Sequence, residues 1–163
     1  MSNKPDVEAW KSHNAAIVDE FRANGGKVGG RLEGANMVLL TTTGAKSEAP
    51  RMVPLVYFCI KDKMLVIGSY AGADADPGWV HNLRAHPRAH AELGTRSFDV
   101  IARELPPDER EPAWAQITAH EPGFADYQAA TTRVIPLFEL QMVTASDNSD
   151  QRAETKAASG PAR

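Results

Sequence analysis

Lys46 and Arg51 are the cations whose neighbours best suit them to chemistry. Lys46 lies in the small-residue turn Gly44-Ala45-Lys46-Ser47, directly after the run Leu39-Leu40-Thr41-Thr42-Thr43. Arg51 opens the next apolar run. A tight hairpin would bring both charges to one corner. A turn with free backbone N–H groups and a lysine makes an anion site. A second corner is Ser69-Tyr70-Ala71-Gly72-Ala73-Asp74. Its small side chains let a ligand approach the backbone closely. The helix that should follow adds positive partial charge at its N-terminus. Two such corners suit a phosphorylated, anionic ligand. The plainer readings stand beside this one: a polar hairpin turn with a solvated lysine, and an ordinary loop of small residues.

Other candidates carry less. Gly44-Ala45-Lys46-Ser47 is not a nucleotide phosphate loop, which needs Gly-Lys-Ser/Thr with another glycine five places before. Here lysine follows alanine, and Leu39 holds the earlier place. His81, His86 and His90 are split by Pro87, so helical ligand spacing cannot hold and no metal is expected. No Gly-x-Ser-x-Gly elbow supports a hydrolase. Cys59 lies in an apolar run and reads as a buried strand thiol. Trp79 and Asn82 are three apart on one short helix and can share a face. A core tryptophan and a capping amide would look the same. Tyr127 and Arg133 bracket the last helix-to-strand turn. A phenol near a cavity can donate a proton, but structural use of both fits equally.

The elements that must position these groups follow from periodicity. Residues 6–23 read as a helix, with Val7, Trp10, Ala15, Ile17, Val18 and Phe21 as a loose stripe stopped by Asn24-Gly25-Gly26. That helix either packs on the body or rests on a membrane or partner. Residues 25–34 hold five glycines with Lys27 and Arg31 among them. Strands are expected at 35–43, 51–60 and 64–69, the last two forming a hairpin. The 51–60 strand is apolar on both faces and should be covered on both. Asp76 is the expected N-cap and Pro77 the first residue of a helix closed by Pro87. Two strands follow at 88–93 and 96–104, then helices at 108–119 and 124–132. A last strand spans 134–143, where Pro136 suits an edge or a strand start. Hairpins dominate, and no regular βαβ alternation appears. That pattern predicts a mainly β, α+β fold: an antiparallel sheet or barrel with flanking helices.

The chain has 163 residues, enough for one domain, and is 42% hydrophobic, enough for a real core. We read 1–145 as that domain and 146–163, rich in small and polar residues, as a disordered tail. The net charge of −3 and pI near 5.9 argue against a partner bound by phosphate neutralisation, so no nucleic acid is expected. One cysteine cannot build a disulfide framework. With no signal-peptide core and no spanning stretch, the expected location is the cytoplasm.

In order along the chain, several stretches resemble the deazaflavin-dependent nitroreductase family, the A-type F420H2-dependent reductases of actinobacteria. They are Glu-Phe-Arg-Ala-Asn-Gly-Gly-Lys-Val at 20–28, Leu-Leu-Thr-Thr-Thr-Gly-Ala-Lys-Ser at 39–47, Arg51 and Pro54-Leu55. Ser69, Gly72-Ala73, Pro77, Trp79, Asn82-Leu83 and Pro87 follow, then Tyr127-Gln128, Thr132-Arg133 and Ile135-Pro136. The resemblance covers roughly 14–143 and implies a split β-barrel that binds coenzyme F420. It implies that Thr43, Gly44, Ala45, Lys46, Ser47 and Arg51 hold the acidic tail. Val53 and Pro54, with the loop Ser69, Tyr70, Ala71, Gly72, Ala73, would line the deazaflavin. Trp79 and Asn82 would lie beside the cofactor. Phe124 and Tyr127 would cover the substrate pocket, with Ser69 on the opposite wall. Ser69 and Tyr127 are then the catalytic candidates, polarising an acceptor oxygen or supplying a proton.

The implied reaction is hydride transfer from reduced F420 to an electron-poor small molecule: a quinone, an activated alkene or a nitro compound. Some positions depart from the family pattern. Glu121 and Phe124 stand where nitroimidazole-reducing members carry tyrosines, which predicts poor nitroimidazole reduction. Glu48 replaces the commoner glycine beside the tail site. Tyr70 stands where some relatives have lysine. Two other functions stay open: an FMN-dependent split-barrel reductase, and a non-catalytic F420- or haem-type binding module. Membrane contact through the first helix and a homodimer also stay open.

Overall fold

Six antiparallel strands close on themselves in the order β1-β2-β3-β6-β5-β4. The structure, a computed structural model, describes residues 7–29 and 36–143, with side chains from residue 11 onward. The strands are β1 (Met37–Thr43), β2 (Pro50–Ile60), β3 (Lys63–Ile67), β4 (Arg88–Leu93), β5 (Arg96–Glu104) and β6 (Leu137–Met142). The helices are α1 (Val7–Ala23), α2 (Gly78–Ala85), α3 (Pro107–His120) and α4 (Gly123–Ala129). A 3-10 turn, Tyr70–Gly72, lies between β3 and α2. Element order follows the periodicity. Closure depends on pairings the periodicity does not contain: β1 with β4, and β6 inserted between β3 and β5. Closing the sheet removes its edges.

Alternation decides what fills the barrel. Val38, Leu40, Val66, Ala89, Ala91, Val100, Ala102, Phe138 and Leu140 form one buried cluster. Trp79, Val80 and Leu83 of α2 join it. The Trp79 ring meets Phe138 edge-on, centroids 5.8 Å apart. Alanines on β4 and β5 leave room for these rings, so the small barrel is solid with side chains. Any ligand must therefore sit outside it.

The outer faces carry the other layers. Ile17 and Phe21 of α1 pack with Met37 and Leu39 of β1. This is the packed-helix reading of the N-terminal stripe. On another side, Ala113 and Ile117 of α3 bury Leu65, Ile67, Ile135 and Leu137. Phe58, Ile60, Trp114, Phe124 and Tyr127 close around them. Among the described residues, no helix is long and apolar enough to cross a membrane.

Four expectations change. β2 is not covered on both faces: its residues are mostly half-buried, and Met52 is 40% exposed. Cys59 is exposed, not a buried thiol. It has the parity of the barrel-facing residues, yet it lies past the end of the packed interior. Asp76 does not cap α2, whose N-cap is Pro77 with no side-chain cap bond. The Asp76 carboxylate is drawn away by two arginines. The last strand also starts later than its apolar pattern, at Leu137: Pro136 accepts from Gly68 N–H but has no N–H to give the ladder. The proposed tail 146–163 and Arg31 lie outside the described residues.

Candidate functional site

The β1–β2 turn is built by its own backbone. Gly44 N–H donates to Ala49 O at 2.8 Å, and Glu48 N–H donates back to Gly44 O at 2.9 Å. Ser47 Oγ accepts from Ala49 N–H at 3.1 Å. A Cβ on Gly44 would meet that hydroxyl, which would have to turn away from the Ala49 N–H. Ala45 N–H donates to Asn82 Oδ1 at 2.9 Å, and Asn82 Nδ2 donates to Thr42 Oγ1 at 3.0 Å. Asn82 thus clamps the turn onto α2, with both ends of its amide engaged. Within the turn, the Lys46 and Ser47 N–H groups have no acceptor among the described residues. Lys46 and Arg51 are exposed, and neither side chain has a hydrogen bond or ion pair there.

A groove of about 760 Å³ runs between this turn and α2, lined by Gly44, Ala45, Lys46, Ser47, Arg51, Gly78, His81, Asn82, Arg84 and Ala85. Arg84 is a cation of a different kind. Glu104 holds it by two bonds of 2.9 and 2.7 Å, and Asp76 by one of 2.9 Å. These carboxylates, Glu104 foremost, raise its pKa above the ordinary arginine value. Its charge is already balanced, so Lys46 and Arg51 are the cations left for an incoming anion. Glu48 is exposed, with φ of 61°.

The second corner lies on the chain leading into α2. Tyr70, Ala71 and Gly72 have φ of 47°, 53° and 80°, three successive residues in the left-handed region. Such residues cost energy unless the surroundings fix them. Ser69 and Tyr70 are half-buried, Ala71 is exposed, and Gly72 and Ala73 are buried. A side chain on Gly72 would lie 3.0 Å from Tyr127 O and 3.1 Å from the Ala130 methyl. Only glycine lets this corner press against α4. Contact with α4 brings Tyr127 beside the loop, and Phe124 stacks edge-on against Tyr127 at 5.7 Å and Phe58 at 5.8 Å.

The two corners are joined by side chains. Arg133 reaches the loop carbonyls and Asp76 Oδ1, and Asp76 Oδ2 accepts from Arg84 on the groove. Thr43, Gly44, Ala45, Lys46, Ser47, Arg51 and Asn82 therefore gather at one corner; Ser69–Ala73, Phe124 and Tyr127 gather at the other. Trp79 belongs to neither, being buried inside the barrel. Val53 and Pro54 point to opposite faces: Val53 packs toward the interior, while Pro54 pairs with Leu39 on the side that carries α1. Sequence reasoning missed Thr42, Asp76 as a linker, Gly78, His81 and Arg84. Their signal is tertiary, apart from the i, i+3 spacing of Gly78, His81 and Arg84 on α2. Among the described residues, no group of three or more His, Cys, Asp or Glu side chains converges as a metal site would require.

The chain is similar to known proteins in sequence and in fold. The family model of the F420H(2)-dependent quinone reductases matches residues 14–141. The chain is 35% identical over 138 residues to an F420H(2)-dependent quinone reductase of Mycobacterium tuberculosis strain H37Rv, spanning 82% of this chain and 90% of that one. It is similar to a solved F420-H2 dependent reductase, FDR-A, at 37% identity and a TM-score of 0.58, covering 65% of this chain and 94% of that one. A further solved structure, described as a domain-swapped dimer, is 32% identical with a TM-score of 0.60 and covers 83% of this chain and 100% of that one. The chain belongs to the F420H(2)-dependent quinone reductase family, and it is an oxidoreductase whose cofactor is coenzyme F420.

Proposed function

We propose that the groove beside Lys46 and Arg51 grips the acidic tail of F420, and that the Ser69–Ala73 corner with α4 frames the ring and the acceptor. The observation that carries this reading is the charge balance of the groove. Two cations and two amides without a partner among the described residues line it, while Arg84 is already neutralised. Such a donor set fits phosphate and carboxylate oxygens. Gly44, Ala45 and Ser47 allow close approach, and Asn82 holds the turn in place.

Bound F420H2 supplies a hydride at C5 of the deazaflavin. The chain's own work is to bring an acceptor carbon within ~3–3.5 Å of it and hold it there. On this reading Ser69, which opens the corner, and Tyr127, whose backbone meets Gly72, are the hydroxyl-bearing residues nearest the ring. Either can donate a hydrogen bond to a quinone, enone or nitro oxygen, or deliver the proton that completes reduction. Phe58, Phe124 and Tyr127 add an edge-to-face aromatic wall that suits a flat acceptor. Quinones are the leading acceptor class, and nitroimidazoles rank last because Glu121 and Phe124 replace tyrosines. FMN ranks behind F420, because the family is F420H(2)-dependent.

We read 1–145 as one domain, since β6 sits between β3 and β5 and the barrel needs it to close. A homodimer is the assembly we propose, on the likeness to a structure described as a domain-swapped dimer. The exposed thiol of Cys59 fits a reducing compartment, and we place the protein in the cytoplasm. Membrane contact through α1 would have to use residues other than Ile17 and Phe21, which are buried. The deciding experiment is a fluorescence titration of the purified protein with F420, then an acceptor screen read at the cofactor's absorbance. No binding in the titration overturns the reading.

A further inference from the structure

Arg133 braces the Ser69–Ala73 corner from outside it. Its Nε donates to Ala73 O at 2.8 Å and its Nη2 to Ser69 O at 2.9 Å. Its Nη1 donates to Gly68 O at 3.1 Å and to Asp76 Oδ1 at 2.8 Å. The side chain is only 15% exposed. Between these carbonyls run Tyr70, Ala71 and Gly72, all with positive φ, although Tyr70 and Ala71 have no intrinsic preference for it. Within the corner, Gly72 N–H donates to Ser69 O at 2.8 Å and Ala73 N–H to Tyr70 O at 3.0 Å. A planar guanidinium bonded across both ends of the corner adds a brace from outside it.

We propose that Arg133 is a positioning residue for hydride transfer. It sets the shape of the Ser69–Ala73 corner and, through Asp76, ties that shape to Arg84 on the tail groove. This rests on reading the corner as the ring side of the F420 site. The continuity is chemical as well as spatial. Asp76 accepts from Arg133 on one oxygen and from Arg84 on the other, and Glu104 completes the chain. The tail groove and the ring-side loop are thus held in register by one alternating row of charges. A lysine cannot replace the fork, because its ammonium is a point donor on a flexible stem.

The test uses Arg133→Gln and Arg133→Lys in the full chain, with two readouts. The first is amide hydrogen exchange at Gly72 and Ala73 in the cofactor-free protein. We expect Arg133→Gln to speed it by at least about tenfold while β1 amides keep wild-type protection. The second is kinetics with F420H2 and a quinone. We expect kcat to fall by at least about tenfold, the F420 Kd to stay within about threefold, and Arg133→Lys to fall between. Wild-type exchange at the two amides overturns the proposal. So does faster exchange with an unchanged kcat, since the corner would then be ordered by Arg133 without serving the reaction. Should Arg133→Gln fail to fold, Arg133→Lys carries the same measurements. Failure of the site reading is separable: it shows in the wild-type protein, as absent F420 binding.

Discussion

Arg133 and Asp76, 57 residues apart in the chain, form a hydrogen-bonded ion pair of 2.8 Å between Nη1 and Oδ1. Both side chains are mostly buried, at 15% and 17% exposure. The pair explains why Asp76 is no helix cap. A carboxylate between two guanidinium groups gains more than one that meets a single backbone N–H. It also explains how a loop of small residues and a groove of cations come to share one site.

The groove reading predicts that Lys46→Ala combined with Arg51→Ala raises the F420 Kd by at least about tenfold, because two charge-assisted contacts go. Both side chains are exposed and unpaired among the described residues, so thermal stability should hardly change. A fluorescence titration beside a melting curve checks both halves. An unchanged Kd rejects the assigned role.

Tyr127→Phe keeps the ring that stacks on Phe124 and removes only the hydroxyl. We expect a lower kcat with little change in cofactor affinity. Steady-state kinetics with a quinone decide it, and full turnover would remove Tyr127 from the proton path.

Gly72→Ala should destabilise the fold by roughly 1–3 kcal/mol, since alanine there takes an unfavourable φ and presses on α4. Urea unfolding measures this. Displacing α4 also moves Tyr127, so kcat should fall as well. Wild-type stability would mean that the corner can relax without loss.

Asn82→Ala removes both clamp bonds and leaves the Ala45 N–H without its acceptor. The expected cost is about 1–2 kcal/mol of stability, with the F420 Kd raised several-fold as the turn loosens. Comparing the two effects separates a clamp from a direct ligand contact. A weaker Kd at wild-type stability would make Asn82 a ligand contact.

Much of the fold was legible because its signals are local. The alternation at 96–104 and the short apolar runs at 35–43 and 64–69 mark strands. Lys61 and Asp62 form the two-residue turn that a hairpin needs, both with positive φ. β2 was harder. Its uniform apolarity predicts burial on both faces, yet the layers packed outside the barrel cover it only in part, and Cys59 lies beyond the interior. Trp79 shows the same limit, because an apolar ring beside a cofactor and one in a core leave the same mark in a sequence.

By itself, the sequence determined the elements, the two small-residue corners and the cations Lys46 and Arg51, since each rests on residue type and short spacing. It also carried enough ordered motifs to indicate the family. Tertiary structure alone decided which charges are available and which are consumed. Arg84 and Lys46 both read as exposed cations, but two carboxylates hold one and nothing described holds the other. It also decided that Asn82 is a clamp, that Arg133 supports a loop some sixty residues away, and that Gly72 abuts α4. These facts come from closing a barrel, which brings distant segments within hydrogen-bond range while their separation along the chain hides it.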